Sequence, residues 1–130
     1  MAESRRKKIL IVDDESPIAE LIAEFCQMLG YETKILMSGE GVLAAVKSYM
    51  PTLVTLDLLM PNVTGFEVLK SLKEDSETKS IPVIVISAVV SEISGSEITE
   101  LSQAILSKPV RLKKLKGTIE KVLSDPLSSA

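Results

Sequence analysis

At 130 residues the chain has the length of one domain, and its 45 % hydrophobic content supports a single packed core. Aromatics are only 3 %, so that core must come from Ile, Leu, Val, Ala and Met, while a net charge of −3 gives no electrostatic case for nucleic acid. Histidine is absent, which excludes Ser-His-Asp and Cys-His catalysis, a histidine metal ligand, and a phosphohistidine on this chain.

The start, MAESRRKKILIV, is basic, but its apolar run is four residues long and ends in two Asp. It predicts a buried strand over 9–12 and not a signal peptide. Ser16 is placed to cap the next helix, with Pro17 in its first turn. Ile18, Leu21, Ile22, Phe25 and Leu29 then recur at helical spacing until Gly30, which can close the helix in a left-handed conformation. Cys26 falls on the apolar side of that helix and reads as a small buried hydrophobe. As the one cysteine it excludes an internal disulfide and makes the cytoplasm the expected location. A second strand is expected over 32–37 and a second helix over 40–49, stopped by Pro51. Residues 53–56 form the third strand, and 58–63, with Pro61 and Asn62, form a loop. Thr64 and Glu67 have capping-box spacing and open a helix that packs Phe66, Val68, Leu69 and Leu72.

A polar connection over 75–80 leads to 83–86, the most continuous β-branched run and so a central strand, with Pro82 at its start. Residues 91–100 have few apolar side chains and predict a short, mobile helix. The fifth strand covers 104–106. The last helix covers 111–123, with Leu112, Leu115, Ile119, Val122 and Leu123 as its buried stripe, before a frayed tail over 125–130. No run approaches the ~18 apolar residues a membrane span requires. Alternating strands and helices of these lengths predict a doubly wound α/β domain, a parallel sheet covered on both faces, with its core over about 8–123.

Four polar sites then share one position in the pattern. Asp13-Asp14 follow ILIV, Asp57 follows TLVTL, Ser87 follows VIVI, and Lys108-Pro109 follow AILS. Each lies at the carboxyl end of a strand, and in an open parallel sheet those ends meet in one crevice. Taken singly, an Asp pair after a strand is an ordinary helix start, Ser87 a strand-end hydroxyl, and Lys108 a solvated lysine. Jointly, three carboxylates, a hydroxyl and an ammonium suit Mg²⁺ and a phosphoryl group. Mg²⁺ takes oxygen ligands, and Asp13, Asp14, Asp57 and a carbonyl from the loop after Asp57 could supply them. A carboxylate can attack phosphorus to give an acyl phosphate, and Asp57 is best placed to do so. Lys108 would pair with phosphoryl oxygens as a point charge, and Ser87 would hydrogen-bond another.

The pieces ILIVDDE, LDLLMPNVTGFEVL, VISA and SKP, at this spacing, resemble the receiver domain of two-component response regulators over about 8–123. The resemblance implies a flavodoxin-like, five-stranded sheet of order 2-1-3-4-5 with five helices. It also implies phosphotransfer from a histidine kinase or histidine phosphotransfer protein to Asp57. Asp13 and Asp14, with Asp57 and the backbone carbonyl of Leu59, would form the Mg²⁺ site. Ser87 takes the switch-hydroxyl position and Lys108 the lysine position, with a cis bond before Pro109. Such a module signals to a downstream protein and is not a turnover enzyme.

Two departures fall on the face that signals in this family. Ile105 stands where an aromatic is usual, and Leu101-Ser102 replace Gly-Ala. Leu59 and Val89, at two positions that tune water access in the family, are both apolar and imply a slowly hydrolysing phosphoryl group. Glu92, Glu97 and Glu100 opposite Arg111, Lys113, Lys114 and Lys116 would suit a homodimer or a docked partner. An aspartate-nucleophile phosphatase would need a second acid two residues after Asp57, where Leu59 stands. A receiver acting without phosphorylation is the alternative that an intact set of Asp14, Asp57, Ser87 and Lys108 argues against.

Overall fold

A computed structural model describes residues 7–60, 64–88 and 97–124. Five parallel strands lie in the order β2-β1-β3-β4-β5. They are β1 (Lys8–Val12), β2 (Glu32–Leu36), β3 (Leu53–Leu56), β4 (Val83–Ser87) and β5 (Ala104–Ser107). The order steps outward in both directions from β1 and β3, so the crevice opens at their carboxyl ends. Five helices occur among the described residues: α1 (Ser16–Met28), α2 (Val42–Tyr49), α3 (Gly65–Glu74), α4 (Glu97–Leu101) and α5 (Leu112–Ser124).

The central strands are buried on both faces, as parallel strands between helical layers must be. Their alternation divides the core in two. Ile9, Ile11, Leu53, Ile84, Ile86 and Leu106 face α1 and α5, meeting Ile22, Cys26, Leu115 and Ile119. Leu10, Val12, Val54, Leu56, Val83 and Val85 face the other way, onto Val42 and Val46 of α2 and Val68, Leu69 and Leu72 of α3. Ile98, Leu101 and Ile105 are half-buried against this second cluster. Cys26 is fully buried as expected, and burial pushes its thiol up to about 12, which makes it inert.

Several element ends differ from the sequence expectation. Ser16 lies inside α1, where its hydroxyl meets Glu20 at 3.2 Å; the N-cap is Glu15, which makes no side-chain cap. The second helix starts at Val42 and not at 40, because Gly41 is left-handed (φ 78°) and breaks the helical path. Gly30 does take the expected left-handed conformation (φ 98°). The Thr64–Glu67 capping box is present in both directions. The connection over 75–80 is polar but not wholly exposed: buried Thr78 donates to the carbonyl of Leu72 at 2.6 Å, closing α3. Phe66 is only half-buried. Of the helix expected over 91–100, α4 is the described portion. Pro61, Asn62, Val63, Val89, Ser91, Glu92 and the tail 125–130 lie outside the described residues.

Candidate functional site

Four of the five strands deliver one polar group where their hydrogen-bonded ladders stop. Asp13 follows β1, and its amide N–H still donates to Leu36 at 3.0 Å; Asp57 follows β3, its N–H donating to Val12 at 3.0 Å. Ser87 ends β4, fully buried, and its carbonyl accepts the Lys108 N–H at 3.0 Å. Lys108 follows β5, and its bond to Pro109 is cis.

The lysine is the centre of the arrangement. Its Nζ lies 2.8 Å from Glu15 Oε1, 3.0 Å from Asp13 Oδ2 and 3.1 Å from Asp57 Oδ2. Only 8 % of the Lys108 side chain is exposed. Burial alone would weaken its charge, but the carboxylates of Glu15, Asp13 and Asp57 around it outweigh that and hold it protonated well above the ordinary lysine range. Asp13, 1 % exposed, is pushed above the usual carboxylate range by burial, which the Glu15 N–H and Lys108 only partly oppose. The remaining oxygens are also oriented: Asp13 Oδ1 accepts from the Glu15 N–H at 2.9 Å, and Asp57 Oδ1 from the Leu59 N–H at 3.2 Å.

Asp14, Glu15, Asp57, Leu59, Ala88 and Lys108 line a cleft of about 270 Å³. Asp13, Asp14 and Asp57 each present an oxygen within 4.8 Å of the others, close enough for one cation. Asp13 Oδ2 is buried and accepts no hydrogen bond, because Lys108 is near it but not aligned with it. A buried carboxylate oxygen with spare capacity in an all-oxygen donor set fits a hard divalent cation. Among the described residues of the cleft, Asp13, Asp14, Glu15 and Asp57 against the Lys108 ammonium leave a net negative charge, which favours such an ion.

Asp13, Asp14, Asp57, Leu59, Ser87 and Lys108 therefore gather at one end of the sheet. Two others belong with them. Glu15 approaches Lys108 from 93 positions away, and nothing in the local sequence marks it beyond its place beside the Asp pair. Gly65, at the start of α3, donates its N–H to Leu58 at 3.1 Å, and a Cβ there would collide with the backbone of Asp57 and Leu58. The signal available for Gly65 was a glycine directly after a helix cap, a position with no helical need for one.

A sequence profile described as response regulator receiver domain matches residues 9–120. The polar-differentiation response regulator DivK of Brucella ovis is 32 % identical over 120 residues, 92 % of this chain and 98 % of DivK. The probable transcriptional regulator ycf27 of Pyropia yezoensis is 32 % identical over 121 residues, 93 % of this chain; the chain spans about half (49 %) of its length. Among solved structures, the response regulator TrrA of Thermotoga maritima, in complex with Mg²⁺-BeF, superposes with a TM-score of 0.80 at 31 % identity, covering 88 % of this chain and 97 % of TrrA. A CheY-like receiver domain from Methylobacillus flagellatus gives 0.81 at 27 % identity, covering 90 % and 98 %.

Proposed function

This chain belongs to the response regulator receiver domain family, and on that premise we propose that Asp57 accepts a phosphoryl group in a site that uses Mg²⁺. The observation that carries the reading is the meeting of the Lys108 ammonium with the Asp57 and Asp13 carboxylates in a cleft at the carboxyl ends of β1, β3 and β5. The Mg²⁺-BeF held by the similar protein TrrA supports it, since a fluoroberyllate group has the shape and charge of a phosphoryl group.

Asp13, Asp14, Asp57 and the backbone carbonyl of Leu59 would hold the metal. Once bound, Mg²⁺ supplies positive charge to the phosphoryl oxygens. The rest falls to the chain itself. The Asp57 carboxylate, fixed by the Leu59 N–H on one oxygen and Lys108 on the other, presents a lone pair to the phosphorus of a donor phosphohistidine. The Oδ–P bond forms as the P–N bond breaks, and the leaving imidazole keeps the electron pair and takes a proton. Lys108 moves from the carboxylate to the new phosphoryl oxygens, and Ser87 hydrogen-bonds a further one. Donor, product and signal fit a module that serves a histidine kinase or phosphotransfer protein upstream and a binding protein downstream, without being a turnover enzyme. A cytoplasmic location belongs to the same reading. No described helix is long and apolar enough to cross a membrane.

Incubation with Mg²⁺ and a small acyl phosphate should add one phosphoryl group by intact mass. Asp57→Asn should abolish the addition, and chelating Mg²⁺ should slow it sharply. Undiminished labelling of Asp57→Asn would overturn the assignment.

A further inference from the structure

Glu15 takes no part in the chemistry above, yet it makes the shortest of the three contacts to Lys108, at 2.8 Å. Its backbone begins α1 in an extended conformation (φ −94°, ψ 101°), and its carbonyl accepts the Ala19 N–H at 2.9 Å. The side chain does not serve that helix: it makes no cap, and turns instead across the cleft to the lysine. It also differs from the other two partners of Lys108. Asp13 and Asp57 are 1 % and 3 % exposed and their second oxygens are tied to backbone N–H groups. The Glu15 side chain is 55 % exposed and has solvent to return to.

An ammonium has three donors. Glu15 and Asp57 take two of them as hydrogen bonds, and Asp13 lies beside the third. A phosphoryl group on Asp57 brings three acceptor oxygens and about −1.5 to −2 charge to the same spot. Its oxygens need donors that Glu15 occupies, and its charge faces the Glu15 carboxylate. The exposed carboxylate is the partner that can leave without stranding a buried charge.

We propose that Glu15 is a positioning residue that competes with the phosphoryl group for Lys108, holding the ammonium while the cleft is empty and slowing transfer until it lets go. The proposal rests on the reading of Asp57 as the phosphoacceptor. Two variants separate grip from charge. Glu15→Gln removes the charge, and Glu15→Asp keeps it on a side chain one methylene too short to hold Lys108.

Initial rates of labelling would be followed by intact mass across a range of acyl phosphate concentrations at fixed Mg²⁺. Both variants should label faster at low donor, by about threefold to tenfold, the scale of one close and partly screened charge. The gain should fall on the KM for donor, a split that a purely structural role would not produce. Independently of metal and donor, the Lys108 ammonium protons should exchange with water faster in both variants than in the wild type, as read by ¹⁵N-resolved NMR. Wild-type protein that is labelled at Asp57 while both variants keep its KM would overturn the competition alone. So would Glu15→Asp behaving as wild type, or unchanged ammonium exchange. Wild-type protein that takes no phosphoryl group would overturn the reading of Asp57, and this proposal with it.

Discussion

At the scale of single residues, the site depends on a side chain that is missing as much as on those present. Gly65 lets α3 start against the backbone of Asp57 and Leu58, which its N–H also ties down. Gly65→Ala must push these segments apart. Labelling at Asp57 should fall by about 10²-fold, the usual cost of misplacing a reacting group by around an ångström. Overpacking should also lower stability by about 1–3 kcal/mol. Labelling rates beside denaturant midpoints would check both, and a variant that labels at the wild-type rate would show that the loop tolerates the shift. Most of the site was legible because its members occupy one repeated position, the residue after an apolar run. Glu15 was not legible: its role depends on a lysine 93 positions away, and local spacing carries no such information.

At the scale of elements, strands were easier to place than helix ends. A fully buried parallel strand is a near-continuous apolar run, and 53–56, apolar but for the β-branched Thr55, is bounded by polar residues on both sides, so its limits coincide with Leu53–Leu56. Helix ends depend on one residue's dihedral angles, which composition only weakly constrains. Ser16 has ideal capping chemistry, yet the chain turns one residue earlier; Gly41 takes the left-handed conformation that glycine permits but does not require. Met50 shows the same limit at the other end of α2. It ends the helix in the left-handed region (φ 55°, ψ 59°), donates its N–H to Val46 at 2.8 Å, and leaves its side chain 74 % exposed. A Cβ is disfavoured there by about 1–2 kcal/mol, and little burial would be lost with the side chain. Met50→Gly should therefore stabilise the fold by about 0.5–1 kcal/mol after the added freedom of the unfolded chain is subtracted. A rise in the urea midpoint at unchanged slope would show it; a fall would mean that Met50 makes contacts its exposure hides.

Across the whole molecule, the end of the sheet opposite the cleft is fastened by another lysine. Lys73 Nζ donates to the carbonyl of Ile81 at 2.7 Å, that of Lys79 at 3.2 Å and Oε1 of Gln103 at 3.4 Å. Gln103 Oε1 also accepts the Val83 N–H at 2.7 Å, so α3, β4 and the approach to β5 are drawn together. These oxygens are neutral, and burial lowers Lys73 to about 8 from an ordinary 10.5. The unfolded chain then binds the proton more tightly, so the cost is fully present below pH 8 and disappears as the pH rises to 10.5. Tyr49 and Cys26, both pushed up to about 12 by burial, act in the opposite sense above their ordinary values of 10 and 9. The difference in stability between wild type and Lys73→Met isolates the lysine and should rise from pH 8 to 10.5. A flat difference would show that its three acceptors offset the burial. Lys108, at the other end, has a mechanical meaning. Ladder hydrogen bonds join each strand only to its neighbour, with axes about 4.8 Å apart. From the end of β5 this side chain passes over β4 to reach the ends of β3 and β1, and through Glu15 the start of α1. It is a tie laid across the grain of the sheet, a single ammonium in contact with groups from the ends of β3 and β1 and the start of α1, carried on the end of β5.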